Sequence, residues 1–235
     1  MRKGMKKGKG ISGLINVLIG LVLVAGIALI LYPTAGDVMN KVQGQEKVSG
    51  YEKTVDHVTP DVEKLFREAE DYNRRLKENP NRLSDPGSTE GYEETLKVDT
   101  TGMMGYVTIP SINVRLPFYH GTNEKILETA VGHVEGTTLP IGGPGTHALL
   151  SAHRGLPSAR LFTDLPKLKV GDEFTVKVLN RTLTYKVDQI LTVLPNETDS
   201  LLIQGDEDYV TLMTCTPYGV NTHRLLVRGA RVAEQ

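Results

Sequence analysis

The chain has no tryptophan, a single cysteine and only four phenylalanines among its 235 residues. One thiol excludes an internal disulfide framework, so the core must come from apolar packing. Charge of either sign is also lacking in excess. With 27 Lys and Arg against 28 Asp and Glu, the formal net charge is -1, and no basic patch is interleaved with aromatics. That balance leaves no electrostatic footprint for nucleic acid, so nucleic acid is not an expected partner. No CxxC, HExxH or other short chelating spacing occurs, and a metal site built from His133, His147, His153 and Cys215 is a minor reading. The glycine-rich stretch GGPGTH, residues 142–147, lacks the GK[ST] ending of a phosphate loop and reads as a turn. No cofactor is expected, and no internal repeat is present.

What is present is 39% apolar residues, enough for one globular domain of ordinary size with additional parts. The N-terminus differs from the rest. Arg2, Lys3, Lys6, Lys7 and Lys9 precede a stretch from Ile11 to Tyr32 that has no charged residue. A hydrocarbon layer of about 30 Å takes about 20 apolar helical residues, so residues 11–32 are long enough to span it. A cleaved signal peptide would have a shorter apolar region and a small-x-small ending, which YPTAG fits poorly. The expectation is an uncleaved transmembrane helix after a basic cytoplasmic tail at residues 1–10, with everything after Pro33 outside the cell. There the unpaired Cys215 is either a buried, inert residue or a reactive one.

Residues 36–58 are polar and mixed in charge, and read as a linker or loosely helical stalk. A helix is predicted next, with Thr59 as its cap, Pro60 in its first position and Asp61 in its first turn. Val62, Leu65, Phe66, Ala69, Tyr72 and Leu76 recur on one of its faces. Stalk and helix together take residues 33–80. The turn-rich segment NPNRLSDPGSTEGYEE, residues 79–94, connects them to the C-terminal part of the chain. From residue 95 the period changes to alternation: MGYVTIP, INVRLPF, HALLSA, DEFTVKVL and TLTYKVDQILTVL are short strand-like runs between Pro and Gly clusters. A short helical turn is expected within residues 156–168. Many short strands in about 140 residues point to a mainly β domain, either a closed barrel or a sandwich. Asn180 and Asn196 each begin a glycosylation tripeptide, a pattern that is common by chance.

YVTLMTC ends at Cys215 and RLLVRGARV begins at Arg224. Joined as an antiparallel hairpin through TPYGVNTH, the two strands set Cys215 opposite Arg224, with Cβ atoms about 5 Å apart. A guanidinium there favours a thiolate and offers donors to an oxygen that gains negative charge. Cysteine chemistry also needs a proton carrier. Of the histidines at 57, 120, 133, 147, 153 and 223, His153 stands just past a strand end, ahead of Arg154 and Gly155. Such corners hold side chains at a rigid rim. His223, in the hairpin loop, ranks second.

TLMTCTPYGVNTHRLLVRG resembles the signature of the sortases, membrane-anchored cysteine transpeptidases of Gram-positive bacteria, in which TLxTC is followed by an arginine after the next loop. The block GHVEGTTLPIGGPGTHALLSAHRGLPSARLFTDLPKLKVGDEF is similar to the one around that family's histidine, and HRGLPSARLF is similar to class C, the pilin-polymerising class. The likeness runs from Gly102 to Val232. It implies a closed eight-stranded sortase β-barrel over residues 95–235, with Cys215 as nucleophile, His153 as general acid and base, and Arg224 as the residue that orients substrate and stabilises the oxyanion. It implies cleavage of an LPxTG-like sorting signal between Thr and Gly, a thioacyl intermediate, and transfer to an acceptor lysine on a pilin subunit at the outer face of the cell membrane. A sortase that attaches surface proteins to the peptidoglycan cross-bridge is the alternative.

Class C sortases often carry a lid ahead of the barrel with an Asp-Pro-aromatic anchor. The matching residues are Asp85, Pro86 and Gly87. The resemblance implies a lid over residues 81–94 in which Asp85 pairs with Arg224. Gly87 has no ring to lay over Cys215, so the lid is expected to be weakly held; the plainer reading of SDPGS is a turn. Many members of the class also have a second hydrophobic segment after the barrel, whereas this sequence stops at RVAEQ.

Overall fold

The computed structural model describes residues 9–57, 62–156, 158–203 and 205–232. Thr59, Pro60 and Asp61, expected to open the second helix, lie outside the described residues.

Helix α1, Lys9–His57, runs without interruption from the apolar stretch through the expected stalk. Of the two readings, linker or loosely helical stalk, residues 36–57 follow the helical one, as regular helix docked on the domain. The reason is a narrow seam at three- and four-residue spacing: Asn40, Gly44, Val48, Tyr51 and Val55 are all buried in an otherwise exposed, charged segment. The Tyr51 hydroxyl donates to the Met104 carbonyl at 2.7 Å and accepts from the Leu179 amide at 2.8 Å, so the seam is pinned to the barrel. Burial raises the Tyr51 pKa well above its ordinary value, and the hydroxyl stays neutral. Helix α2, Val62–Glu78, buries Val62, Phe66, Ala69, Tyr72 and Leu76, five of the six residues read from its periodicity. Its Asn73 side chain donates to the Leu139 carbonyl at 3.1 Å and accepts from the Leu139 amide at 2.7 Å.

Eight strands form the barrel: β1 Met103–Ile109, β2 Val114–His120, β3 Val131–His133, β4 Thr146–Ser151, β5 Glu173–Val178, β6 Arg181–Val193, β7 Asp208–Thr216 and β8 His223–Arg231. A single-turn helix α3, Glu124–Leu127, precedes β3. The sheet closes in the order β1-β2-β3-β4-β7-β8-β6-β5, so the architecture is mainly β and closed, as the likeness implied. Closure removes every sheet edge. Alternation along β7 and β8 sends Val210, Leu212, Leu225 and Val227 into a core shared with Phe118, Phe174 and Tyr185. The expected turn near residue 165 is a short 3-10 helix, Leu165–Lys167.

Strands β4 and β7 are parallel, with Thr146 opposite Asp208 and Ser151 opposite Met213. Both therefore finish at the same end of the barrel. The β1–β2 turn, the connection after β4, the end of β6 and the β7–β8 loop gather there.

Candidate active site

The outward faces of β4, β7 and β8 build the site. Ala152 and Thr214 are buried, so their neighbours His153 and Cys215 face outward. The Ala152 amide donates to the Met213 carbonyl at 3.1 Å, and the buried Thr214 hydroxyl donates to the Ala152 carbonyl at 2.8 Å. These two bonds clamp the residue before His153 onto the two residues before Cys215. Across the hairpin, Cys215 pairs with Arg224 and Thr216 with His223. The strands thus extend one residue further into the loop on each side than the sequence suggested, and the Cys–Arg juxtaposition is unchanged. Neighbouring strands lie about 4.8 Å apart, so imidazole, thiol and guanidinium occupy three successive strand ends within about 10 Å. All three residues are partly exposed, as a site open to a peptide requires.

Backbone contacts stiffen this rim. The Arg224 guanidinium donates to the Asn221 and His223 carbonyls, each at 3.1 Å. The Phe162 amide donates to the His153 carbonyl at 3.1 Å, fixing the corner from the other side. The Tyr218 ring, on the β7–β8 loop, lies against Gly155: a Cβ there would come within 2.8 Å of it, and the Gly155 φ of +85° is a second reason for glycine. Arg154 sits 5.6 Å from the centre of the same ring and donates to Thr216 Oγ1 at 3.3 Å. The loop after the histidine and the loop after the cysteine are thereby joined. None of these contacts is legible in the spacing of His153, Cys215 and Arg224.

The remaining histidines do other work. His133 is fully buried; its Nε2 lies 2.9 Å from the Thr138 carbonyl, which can only accept, so Nε2 carries the proton and Nδ1 accepts from the Tyr92 hydroxyl at 2.8 Å. His147 is buried with Nε2 2.7 Å from Thr211 Oγ1. Burial lowers both pKa values to about 4, and the Arg228 and Arg82 charges add to the effect at His147. His223 begins β8, with its Nδ1 2.9 Å from Thr222 Oγ1. Among the described residues, no three His, Cys, Asp or Glu side chains gather as a metal site would need. The GGPGTH turn is held by an acid: Asp208 accepts from the Gly143 amide at 3.0 Å, from Thr146 Oγ1 at 3.3 Å and from the Tyr185 hydroxyl at 3.0 Å.

Asp85 and Pro86 are held by contacts of their own. Pro86–Ser88 form a 3-10 turn packed against the β3–β4 loop, where a Cβ on Gly136 would meet the Arg82 carbonyl oxygen and come within 3.4 Å of Pro86 Cβ. That loop runs beside Leu149 of β4: the Val134 amide donates to the Leu149 carbonyl at 2.9 Å and the Leu149 amide to Thr137 Oγ1 at 3.1 Å. Among the described residues, Arg224 has no ion pair or hydrogen bond with Asp85, so the expected pairing is not formed. The segment is also not slack. Asn79 Nδ2 donates to Ser88 Oγ at 2.8 Å and to Thr89 Oγ1 at 2.9 Å, the Asp85 amide donates to the Asn81 carbonyl at 2.8 Å, and Arg75 donates to the Glu90 carbonyl at 3.0 Å.

A closed barrel of this strand order carries a thiol, an imidazole and a guanidinium on adjoining strand ends, and comparison with known proteins gives it a family. The sortase domain matches residues 107–232, more than half the chain, and the protein belongs to the sortase family. Sortase C1 from Streptococcus agalactiae superposes with a TM-score of 0.74 at 51% identity, over 81% of this chain and all of that one. Sortase C from Streptococcus pneumoniae gives 0.73 at 45% identity, over 80% and 97%. Sortase C from Clostridium perfringens, solved with the C-terminal cell wall sorting motif, gives 0.71 at 44% identity, over 80% and 99%. All three of these structural neighbours are class C sortases. Sortase D from Bacillus subtilis is 28% identical over 59% of this chain and 68% of its own length.

Proposed function

We propose that the protein is a membrane-anchored transpeptidase that cleaves an LPxTG-like sorting signal between Thr and Gly and joins the new Thr carbonyl to a lysine of a pilin subunit. The observation that carries this reading is the register that sets Cys215 opposite Arg224, with His153 on the adjoining strand end. Cys215 Sγ attacks the Thr carbonyl carbon and a C–S bond forms. Arg224 supplies fixed donors to the carbonyl oxygen as it becomes negative. The C–N bond to Gly then breaks, its electron pair stays on nitrogen, and His153 delivers the proton that lets the Gly amine leave. In the second half, the lysine Nζ attacks the thioester carbon. A C–N bond forms, the C–S bond breaks, His153 takes the amine proton, and the thiol is restored.

Helix α1 is long and apolar enough to cross a membrane, and the basic residues ahead of it favour a cytoplasmic N-terminus and an extracellular barrel. The pilin substrate specificity named for the Streptococcus pneumoniae enzyme and the C-terminal cell wall sorting motif with which the Clostridium perfringens one was solved support the choice of substrate. In this reading the segment from Asn79 to Glu94 is tied to α2 and the β3–β4 loop and is not held to Arg224 through Asp85. Incubating the chain with a pilin that bears an LPxTG signal tests the acceptor. A ladder of isopeptide-linked pilins is expected; transfer confined to short glycine amines would replace this reading with cell-wall attachment.

A further inference from the structure

Helix α1 does more than tether the barrel, because it fixes which end faces the membrane. Gly36 packs on the loop that comes after His153: a Cβ at Gly36 would come within 3.0 Å of Ser158 Cα, and the Arg160 amide donates to Asp37 at 3.0 Å. That loop is the one whose Phe162 amide holds the His153 carbonyl. Further along the helix, Gly44 approaches Pro117, and Tyr51 reaches Met104 and Leu179 at the other end of the barrel. The helix therefore enters at the Cys215 end and climbs away from it. Gly36 stands four positions after Tyr32, the last of the uncharged stretch from Ile11, a rise of about 6 Å. Since a bilayer is about 30 Å of hydrocarbon and 40–45 Å with its headgroups, Gly36 and Ser158 fall at headgroup depth.

A second observation concerns where apolar side chains are left uncovered. Tyr218 is 59% exposed and Val220 64%, both on the β7–β8 loop. Leu194 just past the end of β6, Ile190 near that end, Val170, and Val38, Met39 and Val42 on α1 are exposed as well. Apart from Leu202, every large exposed hydrophobic residue described beyond the apolar stretch lies on the helix or toward the Cys215 end. Tyrosine with a wet hydroxyl and an apolar ring suits the bilayer interface.

We propose that the tip of the β7–β8 loop, Tyr218 and Val220, seats in the interface of the bilayer that α1 crosses, so that Cys215, His153 and Arg224 work against the membrane surface. This rests on α1 spanning the bilayer, as proposed above. A substrate chain still held in the same membrane would then be met at the point where it leaves the lipid.

The chain has no tryptophan, so single tryptophans can report depth. The full chain is reconstituted in phosphatidylcholine vesicles with and without bromine on the acyl chains, with Tyr218→Trp, Val220→Trp, Thr182→Trp on the exposed face of β6 at the far end, and Val22→Trp in the apolar stretch. Brominated lipid is expected to remove about half the emission at 218 or 220, most of it at 22, and almost none at 182. Quenching at 22 together with 218 and 220 behaving like 182 would overturn the orientation while leaving the span. No quenching at 22 would overturn the span and the orientation with it. Two loop positions are used because Tyr218 packs on Gly155; quenching at Val220→Trp alone sustains the proposal.

Discussion

The two ends of the barrel are built on opposite plans. At the end where β4 begins, polar groups are buried and paired: His133 with Tyr92 and Thr138, His147 with Thr211, and Asp208 with Tyr185 and the GGPGTH turn. At the end where β7 finishes, the three candidate catalytic side chains are partly exposed, and their order comes from backbone contacts on their neighbours. One end holds the fold with its polar side chains. The other leaves its polar side chains partly exposed and orders them through backbone groups, directly at Arg224 and through neighbouring residues at His153 and Cys215. Substitutions at the two ends should therefore separate activity from stability.

The largest effect is expected from Cys215→Ala or His153→Ala: product formation falls at least about a thousandfold, because nucleophile or proton carrier is gone. Denaturant midpoints should barely move, since both side chains are partly exposed; a large loss of stability would break the contrast. Arg224→Ala comes next, with turnover reduced about 100- to 1,000-fold by loss of an oxyanion donor. Substrate binding measured on a Cys215→Ala background should fall far less if the arginine acts mainly in the transition state.

The far end should show the reverse. Asp208→Ala leaves the Gly143 amide and the Tyr185 hydroxyl without their acceptor and should cost about 1–3 kcal/mol in urea unfolding, with turnover nearly unchanged. Acid should find the same end. His133 and His147 have pKa values lowered to about 4 by burial, while in the unfolded chain they titrate at about 6.5. Between those values the unfolded state binds more protons, so stability is complete above pH 6.5 and declines as pH falls toward 4. The limit is about 1.4 kcal/mol per pH unit for each histidine. A flat urea midpoint between pH 7 and 5 would contradict this. The smallest effect is expected at Asp85→Ala, which should leave turnover intact or raised; a marked loss would mean that this segment reaches the site during the reaction.

Much of the Cys215 end was legible because it depends on local chemistry. The spacing of Cys215 and Arg224 around a turn-rich loop predicts a hairpin register, and alternation predicts β5, β6 and the outward face. Residues of α2 repeat at helical spacing and pack accordingly. What escaped depends on partners distant in sequence. Strand β3 has three residues, too few to show a period. The docking seam of α1 is made of Asn40, Gly44 and Val48 in a charged background, so its apolar signal is weak, and burial there is decided by how closely backbone can approach the barrel. The position of Asp85 departs from expectation for the same reason. A turn-rich segment goes where its anchors are, and those are Asn79 and the close approach of Gly136. Thr214, which ties the two strand ends, stands in the TLMTC motif, but only its burial and its bond to Ala152 show what it does.

In the proposed reaction Cys215 takes the acyl group under the joint action of His153 and Arg224. Intact-protein mass spectrometry after mixing the chain with an LPxTG-bearing peptide, without an acceptor amine, tests it most directly. An added mass equal to the peptide up to its Thr is expected, located on Cys215, absent in Cys215→Ala and strongly reduced in Arg224→Ala. Failure to form any adduct on Cys215 while the peptide is cleaved, or an adduct on another residue, would contradict it.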